Sequence, residues 1–190
     1  MKKLFYILTL VMVMMLGCLT AHADFPERPV GLVVLDYGRN VDTVCYKQNI
    51  YAPVRWAYHF PYYKINDGDE LTNGVADVLQ GNVKVTPILM RQLAETHKMD
   101  VLVVAKIYEL SEVMVSTGMG WRHDPGMYTR VTCWADLYCY RMDKDKLLTK
   151  KLRERFLSEG GYERPQDTVK WQLSKLVNTM EGRPIIGGDN

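Results

Sequence analysis

The chain has 190 residues, 47% of them hydrophobic, with 24 Lys and Arg set against 22 Asp and Glu, and four Cys. A length of this order suits one domain built around one core. The near-balance of charge lacks the excess of cations with which a nucleic-acid binder neutralises phosphates, so nucleic acid is not an expected partner.

The start carries Lys2 and Lys3, an apolar run over residues 4–16 and the small-residue pattern Ala21-His22-Ala23. This is the layout of a secretory signal peptide over residues 1–23, and its apolar run falls short of the ~20 residues that cross a bilayer. Cleavage after Ala23 leaves 167 residues, in which the loss of Lys2 and Lys3 makes the charge 22 against 22. The expected location is the periplasm or cell envelope of a bacterium. A second reading is that Leu16-Gly17-Cys18 resembles the box in which a bacterial lipoprotein Cys is lipidated, although Leu16 is bulky where that box takes a small or β-branched residue. Membrane attachment is expected only on that second reading.

From there the elements follow in order. Residues 30–37, VGLVVLDY, read as a strand covered on both faces. Residues 41–58 read as helical, with Pro53 expected to break the helix unless it opens a second short one. The aromatic run over residues 57–65 reads as a strand that Pro61 confines to an edge or breaks early. Residues 70–79 suit a short helix with Leu71, Val75 and Val78 on one face. Thr86 as N-cap and Pro87 at the first helical position start a better-marked helix through Leu89, Leu93 and Ala94. It leads into residues 100–111, DVLVVAKIYELS, expected as the central strand, covered by helices on both sides and leaving no cleft. Residues 129–140 alternate similarly and read as its antiparallel partner. The connection from Ser116 to Tyr128 is long for a hairpin and Gly-rich. After a turn at residues 143–145, Lys146 to Leu157 fits helix or strand by periodicity, and the tight turn favours a third antiparallel strand. A last helix is expected from Asp167 as N-cap, with a stripe of Val169, Leu173, Leu176, Val177 and Met180 and a stop at Gly182. The sum is an α/β fold: a small mixed sheet of four to five strands with a C-terminal antiparallel region, helices packed on it, one domain over residues 24–182 and a flexible tail over 183–190.

Chemistry is sparse. Cys133 and Cys139 fall on one face of one strand, about 20 Å apart at ~3.3 Å per residue, too far to bridge. With Cys18 cleaved off or lipidated, the open pairing is Cys45 with Cys133 or Cys139, beside three unpaired thiols. Met119, His123 and Met127 recur at spacings of four in the Ser116 to Tyr128 loop, the thioether and imidazole set that Cu(I) selects. Ordinary loop composition accounts for them better, and no metal or cofactor is assigned. No nucleophile elbow or His-Glu-x-x-His helix occurs, and no catalytic residue is assigned. Cys45 with His59 or His97 is the one thiol and base combination to test. The cations at 141, 144, 146, 150, 151, 153 and 155 read as the charged edge of the sheet, with contact to anionic lipid or an acidic partner as the functional alternative. The aromatic set Trp56, Tyr58, Phe60, Tyr62 and Tyr63 reads as core and rim, and any exposed part of it as a protein contact.

The order of these elements, and the pattern of Asp100 to Ile107 in particular, resembles the small α/β domain of the TolB amino-terminal and CsgG-like envelope proteins, in which a helix runs into a strand of the form "aDyvlvGki". Ala105 stands where that strand commonly has Gly. The resemblance implies an assembly or interaction module and carries no catalytic residue across. The expected function is thus a non-enzymatic, exported cell-envelope module that binds an envelope protein partner. The alternative is a small ligand- or metal-binding envelope protein that uses the Ser116 to Tyr128 loop.

Overall fold

A computed structural model of the chain describes residues 27–38, 43–81, 83–116, 127–159 and 164–184, without the side chains of residues 43–47, 116, 127 and 159. Residues 1–26 with Cys18, the residues Met119 and His123, and residues 185–190 lie outside these, as do the side chains of Cys45 and Met127.

In chain order the elements are β1 (Arg28–Asp36), α1 (Thr43–Ala57), β2 (Tyr63–Asn66), α2 (Asp69–Leu79), α3 (Pro87–Thr96), β3 (Val101–Ser116), β4 (Met127–Arg141), β5 (Lys146–Glu159) and α4 (Pro165–Glu181). The five strands form one sheet in the order β2-β1-β3-β4-β5. β1 runs parallel to β2 and β3, which requires crossovers, and the helices supply them. β3, β4 and β5 form an antiparallel meander. The fold is therefore the expected α/β class with a mixed sheet, β3 lies at its centre, and residues 146–159 form the third antiparallel strand.

Alternation along β3 divides the core. Val101, Val103, Ala105 and Ile107 join Cys133, Ala135 and Leu137 under α1 and α4. Leu102 and Val104 join Tyr138, Tyr140 and the apolar stripes of α2 and α3 on the other face. Each such fully buried aliphatic side chain contributes about 1.5–3 kcal/mol relative to its exposure. Gly31 in β1 lets α2 approach the sheet, since a Cβ there would stand 2.9 Å from Leu102 Cδ1 and 3.1 Å from Leu71 Cδ2.

Several expectations change in detail. Pro53 lies inside α1 rather than ending it, and its ring is buried; packing offsets the ~3 kcal/mol that an interior proline costs. The strand expected over residues 57–65 shrinks to β2, because α1 continues to Ala57 and the Tyr58 ring, 0% exposed, turns into the core. In α2 the buried stripe is Leu71, Val75 and Leu79, at strict spacings of four, whereas Val78 is 42% exposed. The N-cap of α4 is Arg164 with Pro165 after it, and Asp167 sits in the first turn, where its charge favours the helix N-terminus. All five residues of the α4 stripe are buried, and Gly182 ends the helix at φ 71°, where glycine carries no Cβ penalty. Arg183 donates from Nη1 to the Ala57 carbonyl at 2.9 Å, tying the end of α4 to the end of α1.

One buried charge network closes that end of the domain. The Arg141 side chain, 10% exposed, pairs with Asp143 at 2.7 Å and with Glu181, itself 7% exposed. The Tyr58 hydroxyl donates to Glu181 Oε1 at 2.8 Å. The residue that follows α1, the end of β4 and the end of α4 are joined in this way.

Candidate functional site

Two surfaces gather side chains beyond what the core requires. The first lies on the α2 and α3 face, where β3 has a bulge between Ile107 and Glu109. Helix cover ends there: Tyr108, Glu109 and Ser111 are half-buried, which corrects the expectation that residues 100–111 are covered throughout. A depression of about 750 Å³ opens at this border, with Lys106, Tyr108, Trp134, Asp136, Tyr138 and Arg153 among its lining residues.

Its charged groups are turned on one another. Lys106 is 1% exposed, and its Nζ donates to the carbonyls of Leu79 at 3.0 Å and Gly81 at 3.3 Å. The ammonium thus caps the C-terminal end of α2, where carbonyls lack intrahelical partners and the helix dipole favours a cation. Burial pulls the Lys106 pKa below its ordinary value, with the Asp136 charge opposing. Asp136 lies opposite Lys106 in the ladder. It accepts from Tyr108 Oη at 3.0 Å and pairs with Arg153 Nη2 at 2.9 Å. The Tyr138 hydroxyl is pushed up to about 12, by burial and then by the Asp136 charge. Lys106 and Asp136 spend these bonds on the protein itself, which fits a structural closure. Two opposite charges set within otherwise apolar strands were the signal in the sequence for this pair.

The second surface is an apolar trough between α1 and α4. Two adjoining depressions of about 430 and 760 Å³ share Trp56 and Ser174; Pro53 and Trp171 line one, and His59 and Arg183 the other. Trp56 is 75% exposed and Phe60 76%. Tyr62 is 51% exposed, whereas Tyr58 is buried in an edge-to-face contact with Tyr63. The aromatic set of residues 56–63 is thus split between core and surface. Lys175 Nζ stands 4.8 Å over the Trp171 ring.

Other residues singled out from the sequence do not converge. Cys133 and Cys139 are buried free thiols. Burial, their largest influence, raises both pKa values to about 12, so neither is a thiolate nucleophile near neutral pH. Cys45 and His59 lie at opposite ends of α1, about 20 Å apart along its axis. His97 lies against Gly74 of α2, on the other face of the sheet. The speculative copper ligands Met119, His123 and Met127, and the disulfide partner Cys45, fall outside the described side chains. Among the described residues no three His, Cys, Asp or Glu side chains gather as a metal site, and no helix is long and apolar enough to cross a membrane.

No family model and no curated protein sequence matches the chain. Solved structures similar to it include lipoprotein GNA1162 from Neisseria meningitidis, 13% identical with a TM-score of 0.39, covering 82% of this chain and 99% of that one. The hypothetical protein CT253 from Chlamydia trachomatis is 12% identical with a TM-score of 0.42, covering 82% and 97%. TolB from Acinetobacter baumannii is 10% identical with a TM-score of 0.38, covering 85% of this chain and 31% of that one. The similarity to TolB-like envelope domains is weak and lies at the level of topology.

Proposed function

We propose that the chain is an exported, non-enzymatic cell-envelope domain that docks an envelope protein through the trough between α1 and α4. The observation that carries the reading is Trp56, 75% exposed and lining both depressions of that trough, with Phe60, 76% exposed, four residues further along the chain. Large aromatic side chains left in water beside an apolar groove are enriched where proteins meet. Export rests on Lys2, Lys3, the apolar run after them and the Ala21-His22-Ala23 pattern. An apolar trough between two helices suits an amphipathic helix as occupant, its apolar anchors in the trough. Arg55, Lys170 and Arg183 around the lining, against Asp167, favour acidic flanks on that helix.

A photo-cross-linking amino acid at Trp56 in the exported protein tests this. One discrete adduct, identified by mass spectrometry and lost on Phe60→Ala or Trp171→Ala without a change in melting temperature, is the expected result. Absence of an adduct, or equal adducts from Glu95 on the other face, overturns the reading.

A further inference from the structure

Beyond the α1–α4 trough, and independently of it, the opposite face of the sheet carries a second uncovered surface. Past the bulge in β3 the α2 and α3 face of the β3–β4–β5 ribbon has no helix on it among the described residues, and Trp134, Val113 and Leu157 are 42%, 49% and 52% exposed there. The ladder intersperses them with cations. Arg130 lies between Val113 and Leu157 in one cross-strand row, Arg155 follows Thr132 in the next, and Trp134 is flanked by Arg153 in the third. Lys151 continues the row of Lys106 and Asp136, and Lys84 closes the depression at its rim. Besides the buried Lys106, five cations among the described residues thus share this face. Among the described side chains the acids there are Glu109 and Asp136, the latter already held by Tyr108 and Arg153. Outside Lys2 and Lys3 the chain carries 22 charges of each sign, so this is a local concentration rather than a consequence of composition.

We propose that this uncovered ribbon face docks on an anionic lipid bilayer. Cations alone suit any polyanion, but a soluble polyanion would leave Trp134, Leu157 and Val113 in water. A second copy pairing face to face would bring Arg130, Arg153 and Arg155 against their own kind. A bilayer offers anionic headgroups to the cations and an apolar layer beneath for the side chains between them, and tryptophan concentrates at that boundary. Arg153, with its guanidinium carbon 5.2 Å from the centre of the Tyr108 ring, is held at the surface.

Vesicle co-sedimentation of the exported protein carrying Cys18→Ser, which removes any acyl anchor, tests the proposal. Binding to phosphatidylcholine vesicles containing phosphatidylglycerol, at least about tenfold stronger than to phosphatidylcholine alone and weakened as salt rises, is expected. The double variant Arg130→Glu, Arg155→Glu lowers it by about a hundredfold or more, and Trp134→Ala lowers it with the salt dependence retained. Trp56→Ala leaves it unchanged, which separates this face from the protein-docking trough. Equal partition to both vesicle types, no binding, or salt-insensitive binding of the unaltered ribbon overturns the proposal, whether or not the double variant folds.

Discussion

The two halves of β3 share strand character and differ in cover. From Val101 to Ile107 every residue is at most 1% exposed, with a helix layer on each face. Beyond the bulge, Val113 and Met114 are 49% and 69% exposed. Element length explains the difference. A 16-residue strand reaches about 53 Å at ~3.3 Å per residue, whereas the 17-residue α4, the longest helix described, reaches about 26 Å at ~1.5 Å per residue. A helix running beside such a strand covers half of it. The covered half supplies stability, and the uncovered half is free to present charge and apolar groups to something outside the domain.

The largest expected effect is at the end of the covered half. Arg141→Ala leaves the buried Glu181 carboxylate without its cation and should cost about 3–5 kcal/mol in urea unfolding, the loss typical of removing one partner of a buried pair. A loss below about 1 kcal/mol would show that the network does not hold α4 to the sheet. Leu102→Ala, in the same half, should cost about 2–5 kcal/mol, while Val113→Ala in the uncovered half stays within about 0.5 kcal/mol. Equal costs at the two positions would erase the contrast.

Lys106 stands at the border. Lys106→Met leaves the Gly81 carbonyl without that donor, while Leu79 keeps the Tyr37 hydroxyl at 3.2 Å. A loss of about 1–2 kcal/mol, with faster amide exchange at the end of α2, is expected. Unchanged exchange there would refute the capping role.

The smallest effect is a pH dependence. Arg141, and then Arg28, hold the Asp143 carboxyl below its ordinary 3.8, with burial opposing. A carboxylate whose folded pKa is depressed contributes stability above its unfolded value and loses it as pH falls through the folded one. Stability should therefore decline as pH drops below about 3.8, and Asp143→Asn should flatten that limb. The side chain is 43% exposed, so solvent screening holds the change to about a few tenths of a kcal/mol. An acid limb unchanged in Asp143→Asn would assign it to other carboxylates.

Much of the fold was legible because local pattern carries it. Period-two alternation separated Val103 from Leu102 within β3 and Cys133 from Tyr138 within β4, and Thr86-Pro87 marked the start of α3, with Thr86 Oγ1 accepting from the Leu89 N–H at 3.2 Å. Legibility failed where two local signals competed. Pro53 signals a break, yet burial against α4 outweighs it. The aromatics of residues 57–65 read as a strand, yet the buried Tyr58 ring and the exposed Trp56 and Phe60 belong to a helix end and a turn. The surfaces were less legible than the fold, because exposure depends on which elements pack nearby.

By itself, the sequence determined the order of the elements, the type of those with one clear period, the two-sided alternation of β3 and the apolar stripe of α4, and the balance of charge, since these follow from residue periodicity and counting. Tertiary structure alone decided that Lys106 caps a helix 27 residues earlier in the chain, that Arg141 meets Glu181 across 40 residues, and that helix cover on the α2 and α3 face stops at the bulge. The physical reason is that a charge is buried only where partners from distant segments satisfy it, and a surface is left open only where no helix reaches. Both are properties of packing rather than of any local stretch of sequence.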